Sequence, residues 1–232
     1  IYLFSMKKCI IFDLDETLGY FTQIYITILR FESLYSIKLA YKDYHNLFTE
    51  FENIFRPGIF VLLAYLNALK KKYPMKIILY TNTTMSDSFI NHIITYINNK
   101  IHSEENIFDN IITLSSSCRK HLTKQFIDIH KCINYLTNGY VFLIIDNENQ
   151  IMLDRLYSKL IIVSSYKYLY LISNIWNSIH KKVNIKKRYN ILNNKFIDGN
   201  NNVELYDKCK NDVLKLFSTI NKFINIQYIN DR

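Results

Sequence analysis

Lys7-Lys8-Cys9-Ile10-Ile11-Phe12-Asp13-Leu14-Asp15-Glu16-Thr17-Leu18-Gly19-Tyr20 is the stretch on which the reading of the whole chain turns. Cys9 to Phe12 is a short, wholly apolar run, the pattern of a central parallel strand buried on both faces. An ionised carboxylate cannot be buried cheaply without a partner, so Asp13 and Asp15 must emerge at the C-terminal edge of that strand. In an open α/β sheet this edge is where ligands sit. With one residue between them, both carboxylates are expected to face one point, where they repel unless a cation or a shared proton intervenes. A helix or turn cap would explain Asp13 alone but not Asp15, Glu16 and Thr17 as well.

Two further apolar runs end in polar residues. Lys76 to Tyr80 reads as a second buried strand ending in Thr81-Asn82-Thr83-Thr84, and Tyr140 to Ile145 as a third ending in Asp146-Asn147. Arg56-Pro57-Gly58 introduces a helix over Ile59–Leu69, entered through Pro at its first turn and followed by Lys70-Lys71-Lys72. Strand, helix and strand at this spacing make a parallel βαβ unit. Ser86 to Lys100 has the apolar periodicity of an amphipathic helix, and Phe108 to Leu114 that of a strand. Leu160–Val163 reads as a further strand, with helices over Tyr168–His180 and Leu205–Ile224. Thr22 to Phe31 is rich in β-branched and aromatic residues and ambiguous, whereas Ser33 to Phe55 is mostly helical in pattern.

Asp13-Leu14-Asp15-Glu16-Thr17-Leu18 resembles motif I of the haloacid dehalogenase superfamily, in the DxDxTL form of its phosphatase branch. Leu79-Tyr80-Thr81-Asn82 is similar to motif II and Ile144-Ile145-Asp146-Asn147 to motif IV, both in the form shared with the NIF-like phosphatases of the RNA polymerase II C-terminal domain. The resemblance covers Lys7 to roughly Val163. It implies a Rossmann-like parallel sheet flanked by helices, with a minimal cap or flap at 20–55, within a domain spanning 6–184; 185–232 is a linker and a C-terminal helical tail. It also implies an Mg²⁺-dependent phosphomonoester hydrolase working through an aspartyl phosphate. Asp13 is the nucleophile, Asp15 the acid and base, and Thr81 holds a phosphate oxygen, with Thr17 and Asn82 beside the substrate. Asp13, the Asp15 carbonyl and Asp146 are the expected metal ligands, and Asn147 holds a metal-bound water. Motif III needs one cation near the phosphate. Arg119, Lys120 and Lys124 are in place, and Lys124 is favoured because Lys124-Gln125-Phe126-Ile127-Asp128 resembles the segment opening the helix before the last motif strand.

The substrate expected from the resemblance is a phosphoserine or phosphothreonine in a protein. The alternatives are a small phosphomonoester or nucleic-acid 3′ end, and a binding module that has kept the fold without turnover. The chain departs from the family in two ways. Glu148-Asn149 stands where Ser-Pro is common, and the interval between motifs II and III looks partly helical.

With 232 residues, 49% of them hydrophobic and 15% aromatic, the chain is sized for one α/β domain with a sizeable core. Its formal net charge of +9 favours an acidic or phosphorylated partner. A bias toward Ile, Asn, Lys and Tyr, as in AT-rich coding, explains the charge almost as well; together with the compact domain it is similar to phosphatases of large DNA viruses or protists. The basic run from His180 to Arg188 has no nucleic-acid-binding motif with it. Neither a membrane-spanning run nor a signal-peptide layout is present, Met6 reads as the natural first residue, and an intracellular location is expected. Cys9, Cys118, Cys132 and Cys209 form no CxxC pair, so neither a zinc site nor a disulfide framework is indicated, and a reducing compartment fits.

Overall fold

The computed structural model describes residues 7–133, 139–149, 158–183 and 203–225. Five parallel strands, β1 (Lys7–Phe12), β2 (Met75–Tyr80), β3 (Asn110–Ile112), β4 (Tyr140–Asp146) and β5 (Ser158–Ile162), form one sheet in the order β3-β2-β1-β4-β5. Among the described residues seven α-helices flank it: α1 (Thr22–Tyr35), α2 (Tyr41–Glu50), α3 (Ile59–Lys70), α4 (Asp87–Lys100), α5 (Phe126–Cys132), α6 (Ile172–Val183) and α7 (Val203–Asn225). The architecture is a Rossmann-like α/β fold. The expected linker from 185 to 203 lies almost wholly outside the described residues, as does Met6.

Alternation along the strands sends side chains into two cores. Ile10, Phe12, Ile77, Leu79, Val141, Leu143 and Ile145 pack with residues of α1–α4, α6 and α7. Cys9, Ile11, Ile78, Tyr80, Ile112, Phe142 and Ile144 form a smaller core with Phe126, Ile129 and Ile133, around α5. Helices α1 and α2 share the larger core with the strands, so the expected cap segment is built into the body of the domain. In α1, Ile24, Thr27, Ile28, Phe31 and Glu32 are buried at helical spacing. That packing overrides the β preference of its branched and aromatic residues.

Two expectations shift in detail. Strand β3 is only three residues long, shorter than the run Phe108–Leu114. Pro57 lies outside α3 rather than in its first turn. The Ile59 amide donates to the Arg56 carbonyl at 3.1 Å, and Gly58 has φ 80° and ψ −1°. Arg56-Pro57-Gly58-Ile59 is therefore a type II turn, which places Pro second and requires a residue tolerant of positive φ third.

Candidate active site

The strand order reverses between β1 and β4, since β2 and β3 extend one way from β1 and β5 the other. A crevice at the C-terminal ends of strands opens at such a switch point. Asp13 follows β1 directly and Asp146 ends β4, and the two flank that crevice. Both are buried, 7% and 1% exposed. Lys124, itself 4% exposed, reaches in just before α5 and places Nζ 2.6 Å from Asp13 Oδ1 and 2.6 Å from Asp146 Oδ2. The remaining Asp146 oxygen accepts from the Glu148 amide at 2.9 Å. Two carboxylates thus share one ammonium. Burial pushes the Asp13 carboxyl up to about 6, with Lys124 opposing and Asp146 reinforcing the shift.

Thr81 ends β2 on the other side of β1. Its amide donates to the Ile112 carbonyl at 2.9 Å, and its hydroxyl accepts from the Thr83 amide at 3.2 Å. Arg119 organises this corner. Its guanidinium donates to the carbonyls of Thr81 (2.9 Å), His121 (2.8 Å) and Leu122 (3.0 Å) and to Asn82 Oδ1. It also lies over the Tyr80 ring, 5.0 Å from the centroid. With four hydrogen bonds to the protein, Arg119 braces the loop that leads to Lys124. Lys120 is exposed, and its backbone amide donates to the fully buried Asp128 at 3.2 Å.

Three residues sit differently from expectation. Asp15 does not aim its carboxylate at the point occupied by Lys124. Its oxygens accept from the Phe21 amide at 2.8 Å and the Thr22 hydroxyl at 2.7 Å, at the start of α1, where helix-end donors are free. Burial raises its pKa, and those two hydrogen bonds oppose the rise. Thr17 is 2% exposed and its hydroxyl is committed within the protein, donating to Asn147 Oδ1 and accepting from the Asn147 amide, both at 3.1 Å. It is a strut between the β1 and β4 ends, with no free donor for a substrate. Asn147 is held on its other side by Glu16, to whose carboxylate it donates at 3.3 Å. Each end of that amide thus has a protein partner.

Two of the four cysteines also depart from the sequence reading, which indicated no disulfide. Cys118 and Cys132 form a disulfide, with Cα atoms 5.0 Å apart, which closes the segment carrying Arg119 and Lys124 on itself. The 14-residue separation gives no signature of this, because it depends on the loop doubling back onto the end of α5. Cys9 and Cys209 are free and buried.

No family model, curated protein or solved structure matches this chain. The site must therefore be judged on its own chemistry. Among the described residues no three His, Cys, Asp or Glu side chains converge as a metal cage, and no helix is long and apolar enough to cross a membrane. Mg²⁺ does not require such a cage. It is commonly held by one or two carboxylates, with waters and substrate phosphate completing the octahedron. Asp13 and Asp146 are hard oxygen donors close enough to share a lysine nitrogen, and together they exceed its charge by one. The donor set fits a small divalent cation.

Sequence reasoning missed Arg56 as a component of the site. The guanidinium, 2% exposed, donates to the Thr17 carbonyl at 2.5 Å and the Glu16 carbonyl at 2.7 Å, clasping the loop after Asp15. Glu16 adopts positive φ, 62°, an uncommon conformation for a residue with a side chain. Gly19 closes the same loop, where a Cβ would lie 2.5 Å from the Ile54 carbonyl oxygen. The signal for Arg56 was its place in the Arg-Pro-Gly turn, but nothing local indicates where its side chain reaches.

Proposed function

We propose that this protein is a Mg²⁺-dependent phosphomonoester hydrolase of the haloacid dehalogenase type. The observation that carries the reading is the buried Asp13–Lys124–Asp146 constellation at the sheet's switch point, with Thr81 on the adjoining strand end. Asp13 Oδ attacks phosphorus in line, the bond to the ester oxygen breaks, and Asp15 gives that oxygen a proton. Water then loses a proton to Asp15 and attacks the aspartyl phosphate. The bond between phosphorus and the Asp13 oxygen breaks, inorganic phosphate leaves, and Asp15 is protonated again.

Lys124 turns from the two carboxylates toward the phosphoryl oxygens, and the Thr81 hydroxyl donates to another of them. Asp13 and Asp146, with the Asp15 carbonyl, would hold the Mg²⁺, which would supply the charge neutralisation that lets an anionic nucleophile meet an anionic substrate. Asp15 must be protonated for the first step and ionised for the second. Its burial favours the acid form, while the Phe21 and Thr22 donors favour the base form, so its resting bonds suit the second half of the cycle.

The preferred substrate is a phosphoserine or phosphothreonine in a protein, because residues 20–55 are built into the main core and form no separate closing domain among the described residues. The deciding experiment is hydrolysis of an aryl phosphate with and without Mg²⁺. Asp13→Asn is expected to lower the rate by on the order of 10³-fold or more; unchanged turnover sinks the assignment. A panel of phosphopeptides, nucleotides and 3′-phosphorylated oligonucleotides then separates the substrate classes.

A further inference from the structure

Helix α7 appears in no part of the chemistry above, yet it contacts the residue that clasps the loop after Asp15. Cys209, Val213, Leu216, Ile220 and Phe223 form its buried stripe. At the Arg-Pro-Gly turn the fit is close, since a Cβ on Gly58 would come within 3.3 Å of Val213 Cγ1. One turn of helix before Leu216, Asp212 projects toward the same place. Its Oδ2 accepts from the Ser164 amide at 2.8 Å and lies 3.9 Å from Arg56 Nη1. Arg56 in turn donates to the Ser164 carbonyl at 2.6 Å, as well as to the Glu16 and Thr17 carbonyls. The Tyr166 amide donates to the Glu16 carbonyl at 2.9 Å from the same segment.

A guanidinium this deeply buried needs an opposing charge, because taking it out of water without one is costly. Among the described residues Asp212 is its one ion-pair partner. The chain of contacts then runs without a break: α7, through Asp212, to Ser164 and Arg56, and from Arg56 to the two peptides that follow Asp15. Those peptides include the strained Glu16, which has no glycine-like freedom to hold its conformation unaided.

We infer that Asp212 is a positioning residue and that α7 is an integral part of the site, holding the Glu16–Thr17 turn in place through Ser164 and Arg56. The catalytic consequence rests on the phosphatase reading; the mechanical consequence does not. A turn that wanders by a fraction of an ångström moves Asp15 relative to the leaving oxygen, while Thr81, on another strand end, and Lys124, in the loop before α5, stay where they are. The expected signature is a loss in kcat with little change in KM.

The test compares Asp212→Asn and Asp212→Ala with Ile220→Ala, which loosens the same helix two turns further along, away from the Arg-Pro-Gly turn, in the full chain. Hydrogen exchange of the peptide spanning residues 13–22, thermal unfolding, and kcat and KM on an aryl phosphate are measured for each. Exchange of that peptide is expected to rise in both Asp212 variants and stay at the wild-type rate in Ile220→Ala. Among folded molecules kcat is expected to fall about tenfold for Asp212→Asn and further for Asp212→Ala, with KM within about twofold, and Asp212→Glu is expected to recover most of the loss. Should the Asp212 variants melt earlier but keep wild-type exchange at 13–22, α7 is packing only and the inference is overturned. Should wild-type protein hydrolyse nothing, the phosphatase reading fails by itself, and the exchange comparison still decides the clamp.

Discussion

Two clusters of aspartate and lysine lie toward opposite ends of the same parallel strands, and their charge ratios are inverted. Where β4 and β1 end, Asp13 and Asp146 share Lys124 in a site that is nearly dry. Beside the early part of β2, Asp109 takes Lys70 at 3.0 Å and Lys76 at 2.9 Å, and its carboxylate also accepts from the Ile77 amide at 2.8 Å. Burial pushes against the Asp109 charge, but the Ile77 amide and the two lysines outweigh it, so its pKa falls below the usual carboxylate range. At Asp13 burial outweighs the lysine, and the pKa rises. The second cluster is satisfied and binds strand to helix. The first carries an excess of acid in a buried place, the electrostatic imbalance that the proposed cation and phosphate site calls for.

The comparison breaks most visibly at Lys124. Lys124→Met removes the only ammonium among the described partners of Asp13 and Asp146 and leaves two facing buried carboxylates. Loss of one member of such a buried group costs on the order of 3–5 kcal/mol. That loss is expected near pH 8 without divalent ions in a denaturant titration, and it should shrink as the pH is lowered and one acid accepts a proton. A variant as stable as wild type at pH 8 would show that the acids are not held together as described.

This contrast was half visible in the sequence. The strands carrying Asp13, Thr81 and Asp146 were legible because each is an apolar run closed abruptly by a polar residue, and parallel topology alone then gathers the three ends. Lys124 could be singled out only by resemblance, with Lys120 and Arg119 as near neighbours in the chain; what separates them is where a loop folds. The roles of Arg56, Arg119 and Asp212 were hidden for the same reason. Each acts through bonds to residues 37 or more positions away or across chain segments, as Arg119 does to Asn82 and Arg56 to Ser164. Local pattern reports which face of an element is buried, and it is silent on where a long polar side chain ends.

Acidity sharpens the contrast, because the two clusters push stability in opposite directions. Asp13 has a folded pKa of about 6 against an ordinary value of 3.8, so between those values the folded chain holds a proton that the unfolded chain has released. Its contribution is fully present below about 4 and is lost as the pH rises through 6. Asp109 has a lowered folded pKa, so its contribution is present above the ordinary value and is lost only as the pH falls further. Mg²⁺ is expected to reverse the first trend, since it competes with the proton at Asp13. At a hundredfold excess over Kd it should stabilise the fold by about 2.7 kcal/mol, which for a chain of this size is a Tm rise of roughly 5–10 °C. Asp146→Asn is expected to lose most of that rise. Equal Mg²⁺ shifts in the two proteins would place the ion elsewhere.

The smallest effect is expected where the charges are already balanced. Asp109→Asn keeps an acceptor for the Ile77 amide but gives up the charge facing Lys70 and Lys76, both of which have exposed surface and can turn to water. Partly exposed pairs of this kind are worth about 1 kcal/mol or less. The Lys70 ammonium keeps the Ile107 carbonyl, to which it donates at 3.0 Å, so the helix stays tied to the segment before β3. The variant should therefore melt only slightly earlier, hydrolyse an aryl phosphate at the wild-type rate and show the full Mg²⁺ stabilisation. A large loss of turnover from Asp109→Asn would mean that the two ends of the sheet are mechanically coupled, and the division between a binding cluster and a structural one would have to be given up.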